Sequence, residues 1–169
     1  KVTFQNVKMQ QTLLRLNSPS RAVAETEKHL ETLRYCALDK HSTYFRVPPL
    51  DELCAYRVII ATCGATHLLF EAGIPCTGTG TFRNSGELRE HFTHVFVDEA
   101  SQALEPEALL PLSFIGRGGN AMLCGDHKQL GPVVRSRFCR EHGLAVSLLE
   151  RLICLPAYAT GDARRTTKL

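Results

Sequence analysis

The sequence lacks several features, and each absence excludes a class of protein. It contains no tryptophan and only 2 methionines, and no apolar run approaches the ~18 residues that a membrane-spanning helix needs. Its polar start, KVTFQNVKMQQ, has no apolar stretch typical of a secretory signal peptide. We therefore expect no membrane association, and the missing initiator methionine predicts an internal segment of a longer protein.

Zinc and phosphate-loop motifs are missing too. The 7 cysteines include no Cys-x-x-Cys pair, and zinc sites usually need such short ligand spacings. We interpret the thiols as scattered core or surface groups in a reducing compartment. No Gly-Lys pair occurs, so the Gly- and Thr-rich stretch 73–86 cannot be a P-loop and is predicted to be a plain loop.

The composition is that of an ordinary globular domain, with 44% apolar and 22% charged residues. A net charge of +3 is too small to indicate a nucleic-acid partner. The charges are unevenly placed, because residues 84–112 carry six acids and one arginine while residues 133–169 carry seven bases and three acids. A metal–nucleotide pocket beside a polyanion surface would explain this pattern, and so would random surface scatter.

Strand and helix patterns alternate along the chain. Short apolar runs predict buried parallel strands at 57–62, 93–97 and 121–124, with a turn at 116–120. Helices are predicted at 21–38, 50–55, 64–70, 105–114 and 148–153. Pro106 suits a first helical turn, Leu109, Leu110 and Leu112 should face inward, and Ser147 with Glu150 has capping-box spacing. The alternation predicts an α/β fold with a mostly parallel sheet.

Polar residues follow all three predicted strands. They are Thr62, the pair Asp98 and Glu99, and the pair Gly125 and Asp126. Because ligand sites of open α/β sheets lie beyond the carboxyl ends of the strands, we expect these residues to meet at one crevice.

Asp98 and Glu99 have the Walker B arrangement, an acidic pair directly after an apolar strand. The first carboxylate can hold Mg²⁺ at a nucleotide's phosphates, and the second can orient and polarise the attacking water. Judged from these residues alone, a solvated acidic turn is an equal alternative.

A second motif, GDHKQLGP, places Asp126 in sequence 28 residues after Asp98. Gln129 offers both a donor and an acceptor, which suits sensing a terminal phosphate and its water. A polar loop is the alternative for this motif taken alone.

Together, VFVDEASQALEPEALLPL and LCGDHKQLGPVV resemble motifs II and III of superfamily 1B RNA helicases of the up-frameshift type. The flanks LLRLNSPSR, RVPPLDEL, YRVIIATCGATHLL and HGLAVSLLERL resemble the Armitage and plant silencing-defective branch. The resemblance, over about residues 13–169, implies an incomplete RecA-like P-loop NTPase core. Residues 1–169 would be part of the first RecA-like domain, from the motif Ib/Ic region through motif III, with a helical or irregular insertion at 18–54.

The resemblance also implies roles for individual residues. Asp98 resembles the acid that coordinates Mg²⁺, Glu99 the catalytic base of ATP hydrolysis, and Gln129 the γ-phosphate sensor. Asp126 resembles a supporting polar residue of the nucleotide site. The segment that resembles the contact with the RNA backbone consists of Thr62, Cys63 and Gly64.

The implied cofactors are ATP and Mg²⁺, and the implied partners are single-stranded RNA and ribonucleoprotein silencing factors, in the cytoplasm or its RNA granules. The Walker A motif and the arginine fingers of a second domain are not in this sequence, so we expect the 169 residues alone to be inactive. Two alternatives stay open: a non-catalytic RNA-binding scaffold with a degenerate NTPase fold, and a DNA helicase of the same superfamily.

The remaining polar residues have modest interpretations. Gln102 is interpreted as part of the motif II turn, and His127 and Lys128 as tuning or surface residues. The arginines that could contact phosphate, or equally form a solvated basic face, are Arg135, Arg137 and Arg140.

Overall fold

The computed structural model describes residues 12–26, 30–73, 91–159 and 165–167. The chain divides into two compact units, Lys1–His91 and Phe92–Leu169. Each unit contains a pair of parallel strands, as the α/β prediction requires. No helix in the described ranges is both long and apolar enough to span a bilayer.

The first unit contains short elements joined by irregular segments. In chain order its elements are β1 (Leu13–Arg15), α1 (Val23–Thr26), α2 (Leu30–Leu33), α3 (Leu50–Ala55), β2 (Val58–Ile60), a 3₁₀ turn (Gly64–Thr66) and α4 (His67–Glu71). Strand β1 pairs in parallel with β2, with Leu14 opposite Ile59. The predicted helices at 50–55 and 64–70 and the strand within 57–62 are therefore confirmed.

The core of this unit forms around Leu14 and Leu53, whose side chains are 1% and 0% exposed. Helix α3 begins after Pro49, whose extended conformation suits a residue just before a helix. Strand β2 is less buried than predicted, because Val58 and Ile60 are half exposed and only the residue between them turns inward.

The predicted helix at 21–38 is wrong beyond Leu33. The carbonyl of Tyr35 accepts a 2.8 Å hydrogen bond from the Arg15 nitrogen, and Cys36 forms a parallel bridge to the same arginine. Residues 34 and 35 form a turn, and pairing with β1 then holds Cys36 in a bridge, so a tertiary contact overrides the local helical pattern. The predicted loop at 73–86 lies outside the described residues, apart from Gly73.

The second unit is built on a β–α–β arrangement. Its elements are β3 (Phe92–Val97), α5 (Glu105–Leu112), β4 (Ile115–Leu123), α6 (Arg137–Glu141), α7 (Leu148–Ile153) and α8 (Pro156–Ala159). Strands β3 and β4 are parallel, with Val97 opposite Leu123. Of the predicted capping box at α7 the N-cap bond is confirmed, since the Ser147 hydroxyl accepts a 3.1 Å hydrogen bond from the Glu150 nitrogen.

The turn predicted at 116–120 is wrong, because these residues lie within β4. The register jumps there, so that Phe92 pairs with Ile115 while His94 pairs with Asn120. The extra residues form an irregular bulge that needs glycine: Gly118 has a φ of +74°, and a Cβ on Gly119 would lie 2.8 Å from the Thr93 carbonyl. The turn-forming composition thus marks a bulge inside the strand.

Burial in the second unit also differs from the prediction. Leu109 and Leu110 are 46% and 36% exposed, whereas Ala108 is fully buried. Helix α5 contacts both strands, and a small residue at the contact lets the helix approach the sheet. Phe96 and Met122 are cross-strand partners on a face that stays exposed, while Val97 on the alternate face is buried.

Candidate functional site

The carboxyl ends of β3 and β4 are joined by main-chain hydrogen bonds beyond their last paired residues. The Cys124 nitrogen donates to the Val97 carbonyl at 2.8 Å, and the Ala100 nitrogen donates to the Cys124 carbonyl at 2.7 Å. These bonds bring the turn that begins at Asp98 against the loop that carries Asp126. The predicted meeting of these two strand ends is therefore confirmed.

Gly125 allows this close approach. A Cβ at this position would lie 3.1 Å from the nitrogens of both Ala100 and Ser101, and 3.2 Å from the Ser101 hydroxyl oxygen. These distances are shorter than an ordinary van der Waals contact, and the main-chain atoms on one side cannot rotate away. The glycine of the GDHKQ segment is thus required where the two motifs touch.

Asp98 and Glu99 form a tight exposed turn. The Asp98 carboxylate accepts a 3.1 Å hydrogen bond from the Glu99 nitrogen, and Glu99 has a φ of +52°, which is uncommon for a residue other than glycine. The Gln102 nitrogen then donates to the Glu99 carbonyl at 2.9 Å. Such strained conformations concentrate at functional sites, where the surrounding structure holds them.

The side chain of Gln102 makes a contact that sequence reasoning missed. Its amide nitrogen donates a 3.1 Å hydrogen bond to Oε2 of Glu99. Gln102 was predicted to be only a turn residue, and its spacing of three from Glu99 was the one available signal. The Gln102 amide therefore contacts the Glu99 carboxylate, to which the resemblance assigns the role of catalytic base.

Ser101 is a second residue that the sequence did not single out. It is 2% exposed, and its hydroxyl oxygen has no hydrogen-bond partner among the residues that the structure describes. A buried hydroxyl without a partner is costly, and it needs a reason when it lies between two candidate motifs. Ser101 faces Gly125, so a displacement of either motif would change the contact between these two residues.

Asp126 organises the second loop. Its carboxylate accepts hydrogen bonds from the Lys128 nitrogen at 2.9 Å and from the side-chain amide of Gln129 at 3.1 Å. The Lys128 main-chain bond, then the Gln129 amide and the nearby cationic side chains, lower the pKa of Asp126 below its usual value. Asp126 therefore stays anionic and fixes the direction of the Gln129 amide.

The predicted RNA-contact segment lies in the first unit, and its meeting with the other two strand ends stays a prediction. The Thr62 hydroxyl accepts a 3.2 Å hydrogen bond from the Ala65 nitrogen, and the Thr66 hydroxyl donates to the Cys63 carbonyl at 2.6 Å. Gly64 is exposed, and a Cβ there would meet no atom within 4 Å. The segment is thus an ordered turn after β2, as the strand prediction requires, and its contact with RNA stays a prediction.

The acidic turn offers few protein ligands for Mg²⁺. Within the described ranges no cluster of three or more His, Cys, Asp or Glu side chains could hold a metal ion. Mg²⁺ usually takes one or two protein carboxylates and completes its shell with water and substrate phosphates. The exposed oxygens of Asp98 suit that mode of binding, which depends on a bound nucleotide.

The basic residues after the second motif are only partly engaged. Arg137 pairs with Glu141 at 2.7 Å, and Arg140 donates to the Val134 carbonyl at 2.9 Å. Arg135 is exposed. Both interpretations of these arginines, phosphate contact and solvated face, stay open.

Two parallel strands that meet at an acidic turn and a Gly-Asp loop define the core of a P-loop NTPase, here a partial RecA-like one. The chain belongs to the AAA domain family, which matches residues 50–137. That match includes β2, α5, β4 and both candidate motifs.

Curated relatives carry helicase names. The chain is 45% identical over 104 residues to human RNA helicase Mov10l1, and 34% identical over 119 residues to the mouse probable helicase with zinc finger domain. It is 37% identical over 153 residues to the zebrafish (Danio rerio) putative helicase mov-10-B.2. These alignments cover 61%, 70% and 89% of this chain.

The same alignments cover 8%, 5% and 13% of the relatives' own lengths. The chain therefore spans a small part of the proteins that it matches. The family match and these relatives support the predicted resemblance to up-frameshift-like superfamily 1 helicases. The Armitage and plant silencing-defective branch stays a prediction.

Proposed function

We propose that this chain is part of an ATP-dependent RNA helicase, and that the full-length protein couples ATP hydrolysis to movement along single-stranded RNA. The observation that carries the proposal is the 2.7 Å hydrogen bond between Ala100 and Cys124, which holds the acidic turn and the Gly-Asp loop at one edge of the sheet. Helicase names among the relatives support the choice of activity.

Three side chains at this edge would act on the nucleotide. Asp98 would hold Mg²⁺, which when bound offsets the charge of the phosphates. Glu99 would accept the proton of the attacking water, and Gln129 would contact the terminal phosphate. Asp126 already orients the Gln129 amide by a hydrogen bond, which suits a sensor that must point in one direction.

The proposed polymer is single-stranded RNA, bound by the turn at Thr62, Cys63 and Gly64. Thr62 and Gly64 are exposed and Cys63 is half-buried, and the small side chains of this turn let a phosphate backbone approach the main chain. Support for RNA comes from the relative named RNA helicase. By the same resemblance we propose ribonucleoprotein silencing factors as partners, and the cytoplasm or its RNA granules as the location.

The test is ATP hydrolysis by the full-length protein with and without single-stranded RNA, together with strand displacement on an RNA duplex that has a single-stranded tail. We expect RNA to stimulate hydrolysis and displacement to require ATP. Competition between RNA and DNA oligonucleotides of one sequence tests the polymer, because a site that contacts the 2′-hydroxyl prefers RNA. RNA binding without ATP hydrolysis would instead support a non-catalytic scaffold, and equal competition by DNA would contradict RNA specificity.

A further inference from the structure

The turn at the end of β3 is closed twice by the same pair of residues. The main-chain nitrogen of Gln102 donates to the Glu99 carbonyl at 2.9 Å, and its side-chain amide donates to Oε2 of Glu99 at 3.1 Å. The first bond fixes the main chain of Glu99, and the second fixes its carboxylate. One residue therefore controls both the position and the direction of this side chain.

Glu99 needs such control because burial does not confine its side chain. Its side chain is exposed, and an exposed glutamate samples many rotamers. Its φ of +52° also turns the Cβ in a direction that helices and strands do not use. A partner three residues along the same turn can hold the carboxylate in one rotamer without burying it.

We infer that Gln102 is a positioning residue for Glu99: its amide holds Oε2 so that Oε1 faces the attacking water. The inference rests on the proposed role of Glu99 as the base. Gln102 itself contacts neither the nucleotide nor the water. Its effect should appear in the rate of hydrolysis and leave nucleotide affinity almost unchanged.

The alternative is that Gln102 only fills space in the turn, and two substitutions separate these roles. Gln102→Met keeps the length of the side chain but removes the donor. Gln102→Glu keeps the shape almost unchanged, but it replaces the donor with a carboxylate that repels Glu99. A space-filling role makes Glu the milder change, whereas a positioning role makes it the more damaging one.

The experiment measures ATP turnover by the full-length protein in single-turnover and steady-state assays. We expect Gln102→Met to lower kcat about tenfold, as for a lost hydrogen bond to a charged group, with KM for ATP almost unchanged. Gln102→Glu should lower kcat further. Glu31→Gln, at an exposed position of helix α2, is the matched surface control and should leave kcat unchanged. A smaller loss of kcat in Gln102→Glu than in Gln102→Met would overturn the inference. A rise in KM without loss of kcat would overturn it too.

A double-mutant cycle shows whether Gln102 acts through Glu99. In a Glu99→Gln background, Gln102→Met should have almost no further effect on the residual rate, because the two changes remove one function. Independent effects that multiply would contradict the inference. Near-normal turnover by Glu99→Gln alone would instead reject the proposed function, so the two failures are distinguishable. Thermal melting of each variant checks that the fold is intact.

Discussion

The nitrogen of Ala100 donates a 2.7 Å hydrogen bond to the carbonyl of Cys124, and this bond links the acidic turn to the Gly-Asp loop. Ala100 follows the acidic pair directly, and Cys124 directly precedes the Gly-Asp loop. Because both residues sit at strand ends, a displacement of either loop is passed to the other through main-chain atoms. The positions of the acidic turn and of the Gln129 loop are therefore coupled.

Replacing Gly125 by alanine should disturb the contact between these two loops. The new Cβ would lie 3.1 Å from two main-chain nitrogens, so we expect a loss of about 1–3 kcal/mol of stability, as for overpacking elsewhere. Thermal and denaturant unfolding of the chain measure the loss. Gly131→Ala is the matched control, because its Cβ would lie 3.6 Å from the nearest atom, the Ala145 carbonyl oxygen. Equal melting of the two variants would contradict the close-approach argument.

Replacing Glu99 by glutamine in the full-length protein should nearly abolish ATP turnover and leave ATP binding largely intact. The amide keeps the shape and can still accept the hydrogen bond from Gln102, but it cannot accept a proton. Removing a general base typically costs ~10²–10⁴-fold in rate. A steady-state ATPase assay, paired with binding of a fluorescent ATP analogue, checks both halves. Turnover close to that of the unmodified protein would remove Glu99 from the role of base.

Local sequence signals predicted much of this structure. The cap at Ser147, the helix after Pro49 and the strand that ends at Val97 each depend on neighbours within a few residues. The meeting of the ends of β3 and β4 was also predictable, because parallel strands bring their carboxyl ends to one edge.

What the sequence could not show depends on distant partners. The residues after Leu33 leave the helix because β1 pairs with Cys36, and the glycines near 118 form a bulge because β3 continues beside them. The Gln102 contact was missed for another reason, since the spacing does not determine where an exposed side chain points. The sequence therefore did not predict long-range strand pairing or the direction of exposed side chains.

Helices α5 and α7 are joined by an ion pair whose effect should depend on pH. The Arg151 guanidinium bonds both carboxylate oxygens of Glu105, at 2.6 and 2.7 Å, and lowers the pKa of Glu105. A lowered pKa in the folded state adds stability above the unfolded value of ~4.3, and that stability is lost as pH falls through the folded value. The Glu105→Gln variant should therefore melt ~1–3 °C below the unmodified chain at pH 7. Below the folded-state pKa of Glu105 the two melting temperatures should be equal.

The check is a series of melting curves for the unmodified chain and Glu105→Gln between pH 2 and pH 8, a range chosen around the ~4.3 of a free glutamate. Glu141→Gln provides a control pair that is more exposed, since Arg137 and Glu141 are 90% and 56% exposed against 49% and 28% for Arg151 and Glu105. A difference between the unmodified chain and Glu105→Gln that persists at the acid end would contradict the ion-pair explanation.

The 169-residue chain by itself should show no measurable ATP turnover. It contains no Gly-Lys pair, and the Lys of a P-loop together with arginine donors stabilises the transferring phosphoryl group. Phosphate release by the purified chain, with and without RNA, measures this. Turnover that disappears in Glu99→Gln would show that these residues are sufficient, contrary to our expectation.

Replacing Gln129 by alanine in the full-length protein should uncouple RNA from ATP. The substitution removes the amide that Asp126 orients at 3.1 Å, but it leaves Asp98 and Glu99 in place. A lost hydrogen bond to a charged phosphate is worth about 1.5–3 kcal/mol, or roughly ten- to a hundredfold in rate if it acts in the transition state. We expect basal hydrolysis to fall modestly and RNA-stimulated hydrolysis to fall much more. RNA affinity without nucleotide should barely change, because contacts with the phosphate backbone dominate it.

ATPase rates with and without single-stranded RNA measure basal and RNA-stimulated hydrolysis, and RNA binding in the absence of nucleotide measures the affinity. If RNA still stimulates the variant by the same factor as the unmodified protein, Gln129 does not couple the two sites, even where basal turnover has dropped.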